Sequence, residues 1–320
     1  MNDQFGSLLG EAKTVAIAGH TRPDGDCVGS CLGLYNYLRD NYPALAVDVY
    51  LEPVADVYGI LENCNVICST YDCEKQYDLF ICLDCGDRAR LAGAGKYFDT
   101  ARRTLNIDHH ISNQGYGDEN VVFADASSTC EVLAGMMDFE KLGKGTAEAL
   151  YVGMICDTGC FKHSNTTEKT MNIAGRLISK GIAFSKLTDE VFYQRTYMQN
   201  QLLGRCLVES FLVFNGRCII SVVDQKTLAF YGADSKDLEG VIDQMRITKG
   251  VETAVLLTET GALRYKVSMR SNEYTDVNRV AAVFGGGGHI RAAGCTVTGT
   301  KHDVITNLLG HIWEQMKDHD

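Results

Sequence analysis

Acidic residues and histidines cluster in four short segments of the chain, each of which follows an apolar run. The segments are GHTRPDGD, LDCGD, IDHHISN and the end of LYVGMICD, and their candidate functional side chains are His20, Asp24, Asp26, Asp84, Asp108, His109, His110 and Asp157. Carboxylates held close together repel one another or take up protons, so such a cluster favours bound divalent cations. Carboxylate and imidazole donors suit Mn²⁺ or Mg²⁺, with iron, cobalt or zinc as alternatives.

The adjacent histidines are expected to have different roles. Neighbouring residues at a strand end point in opposite directions, so His109 and His110 do not readily bind one ion. One is expected to be a metal ligand, and the other to face the substrate as a phosphate contact or general acid. Asp108 is expected to orient one of the two rings through a hydrogen bond.

The number of acidic groups predicts two metal ions rather than one. Asp24 and Asp26 are two residues apart, so in an extended turn through Gly25 they are expected to project from the same side. The oxygens available exceed what one ion needs. A two-metal site would use one carboxylate as a bridge and would stabilise both the attacking and the leaving oxygen of a phosphoryl transfer.

The elements around these segments predict an α/β fold. Strands are predicted at 14–19, 45–51, 77–84 and 104–110, whereas 149–157 fits either a strand or a buried helix. Helices are predicted at 29–41 and 127–143, the second with Ser128 and Glu131 at capping-box spacing. Alternating strands and helices predict a largely parallel sheet with helices on both faces. Ligands of such sheets bind beyond the carboxyl ends of the strands, where the acidic segments lie.

The second half of the chain has a different pattern. Residues 181–209 are predicted to form a helical connector without strands. Asn215-Gly216 between apolar runs predicts a β-hairpin, and a second hairpin is predicted to turn near Gly261. A glycine cluster at 285–288 and an amphipathic helix from about 302 complete a mixed, more antiparallel domain.

Composition limits the classes of function. A net charge of −11 argues against a long basic groove for duplex nucleic acid. The 13 cysteines are too sparse for a disulfide scaffold and indicate a reducing, cytoplasmic location. The lone CxxC, formed by Cys82 and Cys85, is interpreted as core rather than as a zinc site. No run is long enough for a membrane span and no signal peptide is evident, so no membrane association is expected.

Taken in order, these motifs resemble those of the DHH phosphoesterases. GHTRPDGDCVGS, LDCGD, IDHHISN and ICDTGCF are similar to the four sequential motifs of that family, and GGGGHIRAAG (285–294) is similar to the signature of its companion DHHA1 domain. The resemblance implies a doubly wound, mainly parallel DHH domain over residues 1–185. A helical linker over 186–209 and a smaller mixed α/β DHHA1 domain over 210–320 would follow.

The resemblance also implies roles for individual residues. His20 and Asp24 would hold one ion, Asp26, His109 and Asp157 the other, and Asp84 would bridge both. His110 would act in catalysis on the substrate side. Contacts to the substrate would come from the second domain, through Arg270, Ser271, Gly286, Gly287, Gly288 and His289. The cofactors implied are two divalent ions, Mn²⁺ first, with Mg²⁺ or Co²⁺ as alternatives.

Within the family, the compact two-domain architecture resembles the bifunctional oligoribonuclease and 3′-phosphoadenosine 5′-phosphate (PAP) phosphatase group. The implied activity is hydrolysis of very short oligoribonucleotides (nanoRNA) to mononucleotides, together with conversion of PAP to AMP. The alternative is a phosphodiesterase for cyclic dinucleotides or their linear products, and a third reading is a non-catalytic nucleotide-binding regulator. The partners expected are short RNA or phosphonucleotides, not long duplexes, and a homodimer is left open.

Overall fold

The computed structural model describes residues 3–319. By its internal contacts the chain divides into two compact units, with the boundary between Gln194 and Arg195. That boundary lies inside the stretch predicted to be a connector. Among the described residues, no helix is both long and apolar enough to cross a bilayer.

The first unit alternates strands and helices. In chain order its elements are α1 Phe5–Leu9, β1 Thr14–Ala18, α2 Gly25–Asn41, β2 Ala46–Tyr50, β3 Ile67–Cys68, β4 Leu79–Leu83, α3 Gly95–Thr100, β5 Thr104–Asp108, β6 Glu119–Val122, α4 Thr129–Met136, α5 Lys144–Asp157, α6 Glu168–Ile178 and α7 Phe184–Thr188. A single π-helical turn, Asp189–Tyr193, follows α7.

The strands of this unit form one parallel sheet in the order β3-β2-β1-β4-β5-β6. Side chains along a strand alternate between faces: Val15 and Ile17 pack on the face of α2, α4 and α5, and Ala16 and Ala18 on the opposite face. Burial on both faces explains why the strands are continuous apolar runs. The strand order reverses between β1 and β4, which is where such sheets bind ligands. The predicted doubly wound parallel sheet is confirmed.

One predicted helix starts earlier in the structure, and the run with two possible assignments is a helix. The helix predicted from residue 29 begins at Gly25, because the Asp24 carboxylate caps it and accepts hydrogen bonds from the backbone N–H of Asp26 and Cys27. The apolar run at 149–157 is the second half of helix α5, so Asp157 ends a helix and not a strand. Its side chains are buried almost all round, which removes the periodicity that distinguishes a helix from a strand.

The second unit is a mixed α/β domain. Its elements are α8 Tyr197–Val208, β7 Phe211–Val213, β8 Cys218–Val223, α9 Gln225–Tyr231, α10 Val241–Arg246, β9 Thr253–Gly261, β10 Arg264–Ser271, α11 Val277–Val283, β11 Gly287–His289, β12 Ala292–Thr298 and α12 Lys301–Met316. The predicted hairpins are present as β7–β8 and β9–β10, both antiparallel.

Six strands of this unit form a sheet in the order β11-β12-β10-β9-β8-β7, in which β8 and β9 are the parallel pair. One face is covered by α11 and α12, and the other by α8 and α10. The predicted mixed, mainly antiparallel second domain is confirmed. Helix α8 packs Leu202 and Cys206 into this second core, so it belongs to the second unit.

Candidate metal centre

The candidate site lies where β1, β4 and β5 of the first sheet end. His20 follows β1, Asp84 follows β4, and His109 follows β5. These three strands are neighbours around the reversal of strand order. The parallel register therefore brings residues from three distant parts of the sequence to one edge of the sheet.

Asp84 occupies the centre of the cluster. Its side chain is 2% exposed, and its two oxygens face different histidines. Oδ2 lies 3.4 Å from Nε2 of His20, whereas Oδ1 lies 3.6 Å from Nε2 of His109. The backbone of Asp84 has φ 52°, a left-handed conformation that is uncommon and costs about 1–3 kcal/mol for a residue other than glycine. Such strain is found mainly where a side chain must be presented in a set direction.

His20 and Asp24 form one side of the cluster. Nε2 of His20 lies 3.6 Å from Oδ1 of Asp24, and Nδ1 of His20 lies 2.9 Å from the carbonyl oxygen of Thr21. If Nδ1 carries the proton and donates to that carbonyl, Nε2 is the ring nitrogen that can bind a metal ion. Asp24 uses the same Oδ1 to cap helix α2.

Asp26 does not project with Asp24 from an extended turn, as expected from the sequence. It lies in the first turn of α2 and is fully buried, and its carboxylate accepts hydrogen bonds from the backbone N–H groups of Thr129 (2.6 Å) and Cys130 (3.0 Å). These are N–H groups of the first turn of α4, which have no partner within that helix. The helical start of α2 therefore separates the two aspartates.

Asp157 and His109 form the other side of the cluster together with Asp26. Nε2 of His109 lies 3.2 Å from Oδ2 of Asp157 and 3.9 Å from Oδ2 of Asp26. Nδ1 of His109 lies 3.3 Å from the carbonyl oxygen of Ala126. The ring therefore presents Nε2 to the two acids and Nδ1 to the backbone.

Two glycines allow the helix that carries Asp157 to approach closely. A Cβ at Gly153 would lie 2.8 Å from Oδ1 of Asp26, and a Cβ at Gly29 would lie 2.5 Å from the carbonyl oxygen of Ala149. Helices α2 and α5 can cross at this distance only because both positions lack a side chain. The close crossing brings Asp157, four residues after Gly153, to the edge of the sheet.

His110 has a different main partner from His109. Its Nδ1 lies 2.7 Å from Oδ1 of Asp108, and Oδ2 of Asp108 accepts a hydrogen bond from Asn113. Nδ1 of His110 also lies 3.6 Å from Oδ1 of Asp84. The geometry agrees with the expectation that Asp108 orients one ring of the pair, and the ring it orients is that of His110. Because Nδ1 of His110 is hydrogen-bonded to Asp108, Nε2 of His110 is available to other partners.

Within residues 3–319, three groups of donor atoms are close enough to hold a metal ion. One consists of Asp26, His109 and Asp157, a second of Asp84, His109 and His110, and a third of His20, Cys27 and Asp84. The donor atoms within each group lie within 4.8 Å of one another. Asp84 is common to two of the groups. Cys27 is a sulfur neighbour that the sequence did not identify, and burial raises the pKa of its thiol, which favours the neutral form.

The pKa values of the cluster's side chains reflect an excess of negative charge. Burial and the nearby charge of Asp157 raise the pKa of Asp26 to about 6. Burial and Asp26 raise the pKa of Asp84 well above its ordinary value. Burial by itself would lower the pKa of His109, but Asp157, Asp26 and Asp84 raise it to about 10. Without metal ions, bound protons therefore offset part of the negative charge of the acids. Bound divalent cations would offset the same charge.

Thr129 contacts two of the acids and was missed by the sequence analysis. Its backbone N–H donates to Asp26, and its hydroxyl lies 3.1 Å from Oδ1 of Asp84. A threonine after two serines is typical of an ordinary helix start, so its residue type does not indicate a role in the site. The N-cap of α4 is Ser128, as predicted, but the Glu131 carboxylate bonds Ser127 rather than returning to Ser128, so the capping box is incomplete.

The polar residues predicted in the second unit are in different environments. Arg270 is partly exposed at the end of β10, where its guanidinium lies 3.7 Å from Asp243. Ser271 is buried, and its hydroxyl donates to the carbonyl oxygen of Thr275 at 2.6 Å. The Ser271 hydroxyl therefore stabilises the turn after β10. His289 is exposed at the end of β11.

The glycine cluster is explained in part by packing within the sheet. A Cβ at Gly286 would lie 2.2 Å from the carbonyl oxygen of Gly294, and one at Gly288 would lie 2.4 Å from that of Ala292. Both positions must be glycine for β11 to pair with β12. A Cβ at Gly287 would meet only Asn278, at 3.8 Å, and one at Gly285 would meet nothing within 4 Å, so packing does not explain the glycines at these two positions.

Sequence profiles and a curated relative identify the family. The profile of the DHH family, N-terminal domain, matches residues 14–154, and that of the DHHA1 domain matches residues 215–318. The bifunctional oligoribonuclease and PAP phosphatase NrnA of Thermus thermophilus is 30% identical over 305 residues, which cover 90% of this chain and 86% of that protein. The chain belongs to the DHH phosphoesterase family. It is therefore a hydrolase of a metal-dependent family.

Two further proteins are similar to this DHH phosphoesterase. A crystal structure of an exopolyphosphatase-related protein from Bacteroides fragilis superposes with a TM-score of 0.86 at 25% identity, and covers 99% of this chain and 96% of that one. The cyclic-di-AMP phosphodiesterase PdeA of Listeria monocytogenes is 24% identical over 315 residues, which are 89% of this chain and 45% of that longer protein.

Proposed function

We propose that this DHH phosphoesterase hydrolyses very short oligoribonucleotides to mononucleotides with two divalent metal ions, and that it also converts PAP to AMP. The observation that carries the two-ion site is the position of Asp84, whose two oxygens face His20 and His109 separately. The similarity to NrnA over most of both chains supports the substrate class.

The metal ligands proposed are those of the cluster. His20 and Asp24 would hold one ion and Asp26, His109 and Asp157 the other, with Asp84 between them. Carboxylate and imidazole donors support Mn²⁺, with Mg²⁺ or Co²⁺ as alternatives. Burial keeps the thiol of Cys27, which lies beside His20 and Asp84, in its neutral form, so Cys27 is not among the proposed ligands. When bound, the ions would neutralise charge on the phosphate and activate water for attack on phosphorus.

The protein's own residues would complete the chemistry. The hydrogen bond between His110 and Asp108 holds the imidazole in one orientation. Nε2 of His110 could then contact the phosphate or supply a proton to the leaving oxygen. In the second unit, we propose that Arg270, His289 and the backbone around Gly287 bind a phosphate of the substrate. Gly286 and Gly288 would contribute by shaping that strand, and Ser271 by holding the turn after Arg270.

The preference for short substrates rests on charge. A chain with a net charge of −11 lacks the extended basic track that neutralises many phosphates of a long strand. The anion contacts proposed outside the metal cluster are few, and they suit one terminal phosphate.

A cytoplasmic location is consistent with this substrate class and with 13 cysteines that are all free.

One other activity is supported by a specific observation. The similarity to PdeA, which extends over 89% of this chain, favours a cyclic-dinucleotide phosphodiesterase as the second candidate. A non-catalytic regulator is disfavoured, since it would not need a cluster of buried acids with the metal-binding arrangement described above.

A substrate panel tests the proposal. Purified protein with Mn²⁺ is given a diribonucleotide, a twenty-nucleotide RNA, PAP and cyclic di-AMP, and the products are separated by chromatography. Matched preparations of Asp84→Ala control for contaminating nucleases. We expect the diribonucleotide to be hydrolysed fastest at equal molar ends. Equal or faster hydrolysis of the long RNA would contradict the proposal, and a preference for cyclic di-AMP would establish the second candidate instead.

A further inference from the structure

The start of helix α4 holds acids from two different elements of the candidate metal centre. The Thr129 and Cys130 backbone N–H groups bond both oxygens of Asp26, and the Thr129 hydroxyl lies 3.1 Å from Oδ1 of Asp84. Thr129 is fully buried. One residue therefore contacts two carboxylates that are 58 positions apart in the sequence (84 − 26).

We infer that Thr129 is a positioning residue, which fixes the rotation of the Asp84 carboxylate so that its two oxygens stay divided between the two sides of the site. This inference rests on the proposed two-ion site. Oδ1 of Asp84 accepts a hydrogen bond from the Thr129 hydroxyl at 3.1 Å. The same oxygen lies 3.6 Å from the nearest ring nitrogen of His109 and of His110. The hydroxyl is thus a closer partner of this oxygen than either imidazole.

Thr129 is itself held rigidly in place. Ser128 caps α4 through the backbone N–H of Glu131. The buried Glu131 carboxylate accepts hydrogen bonds from Ser127 and from the Thr170 hydroxyl, at 2.7 Å each, and so ties the start of α4 to α6. A hydroxyl on such a fixed backbone can orient a carboxylate, because little entropy remains to be lost when the bond forms.

Asp84 needs such a fixed partner. It is buried beside Asp26, whose negative charge repels it, and its backbone is in the uncommon left-handed region. A carboxylate that rotates about its terminal torsion would no longer present Oδ2 to His20 and Oδ1 to His109. Loss of an outer partner of a metal-binding group commonly reduces metal affinity about 10- to 100-fold.

The test compares Thr129→Val with Thr129→Ser. Valine has nearly the shape of threonine without the hydroxyl, and both variants keep the backbone N–H that bonds Asp26. A matched control is Thr146→Val in helix α5. Thr146 is also fully buried, but its hydroxyl has no hydrogen-bond partner in the described part of the chain. This control removes a buried hydroxyl from the same unit and leaves the cluster untouched.

The primary readout is binding of Mn²⁺ without substrate, measured by calorimetry. The electron paramagnetic resonance signal of a coupled manganese pair provides a second readout. We expect Thr129→Val to bind manganese about 10- to 100-fold more weakly and to lose the coupled signal. Thr129→Ser and Thr146→Val should match the wild type. With substrate at saturating metal, kcat of Thr129→Val should fall more than KM rises.

Other outcomes overturn the inference. Wild-type affinity and coupling in Thr129→Val would show that the hydroxyl does not matter, and an equal loss in Thr129→Ser would implicate packing of the methyl group instead. If Thr129→Val does not fold, Thr129→Ala replaces it in the comparison with serine. If the wild type binds a single ion, the two-ion proposal fails, and the affinity difference between valine and serine variants still decides the role of the hydroxyl.

Discussion

Oδ1 of Asp84 lies 3.6 Å from Nε2 of His109, although the two residues follow different strands of the first sheet. The other oxygen of the same carboxylate faces His20. Since β4 lies between β1 and β5, the residue that follows β4 can face ligands from both neighbours. The central position of Asp84 thus follows from the order of the strands.

The two histidines of the pair should respond differently to removal. His110→Ala should retain both metal ions and lose about 10²- to 10⁴-fold in kcat, because the proposed role of His110 is proton transfer or phosphate contact. His109→Ala should lose at least one ion, since three carboxylates surround its Nε2. Elemental analysis after dialysis and steady-state kinetics measure both effects. Metal loss in His110→Ala but not in His109→Ala would reverse the assignment.

Metal binding should depend on pH in a defined direction. The pKa of His109 is raised to about 10 in the metal-free site, and that of Asp26 to about 6, so ions must displace protons. Affinity for Mn²⁺ should therefore increase from about pH 6 to about pH 9. Calorimetry in buffers of different ionisation enthalpy should detect proton release on binding. Binding that releases no protons would be inconsistent with this charge balance.

Glu131 should stabilise the first unit in a pH-dependent manner. Burial by itself would raise its pKa, but hydrogen bonds from Thr170 and Ser127 lower it below its ordinary value. A carboxylate with a lowered folded pKa contributes stability above its unfolded pKa, about 4.3, and loses it as the pH falls through the folded pKa. Glu131→Gln should cost about 1–3 kcal/mol of unfolding free energy at neutral pH, and less in acid.

Denaturant titration of Glu131→Gln across this pH range provides the measurement. Glu140→Gln serves as the control, because Glu140 is exposed. A deficit in Glu131→Gln that stays constant from neutral to acidic pH would show that the carboxylate is not the stabilising form.

His289 should affect substrate binding and not metal binding. His289→Ala should lower kcat/KM for a diribonucleotide about tenfold or more, because a hydrogen bond to a charged group contributes about 1.5–3 kcal/mol. His302→Ala is the matched control, an exposed histidine at the start of α12 in the same unit. Unchanged kinetics on both short and long RNA in His289→Ala would remove this residue from the proposed site.

The sequence was sufficient to predict the sheet, because strands buried on both faces are continuous apolar runs. It did not distinguish between a strand and a helix at 149–157, since a helix buried on all sides is also a continuous apolar run. Asp157 could still be identified as a site residue because it ends that run. The chemistry of the residue was therefore more informative than the type of element that carries it.

Contacts of small polar residues could not be predicted. The bonds from Thr129 to Asp26 and Asp84 join positions 103 and 45 residues apart, and no local pattern encodes such pairings. The direction of Asp26 was mispredicted because the start of α2 depends on the cap that Asp24 provides. Close approaches at Gly29 and Gly153 likewise become evident only when the helices are packed together.

Metal content of wild type and Asp84→Ala tests the central claim most directly. Both proteins are loaded with Mn²⁺, dialysed and analysed for metal, with circular dichroism to verify folding and the exposed Asp125→Ala as control. We predict two ions per chain in the wild type and in Asp125→Ala, and a folded Asp84→Ala that retains almost none and has no activity. A single ion in the wild type, or both ions in folded Asp84→Ala, would contradict a site in which Asp84 is the shared ligand.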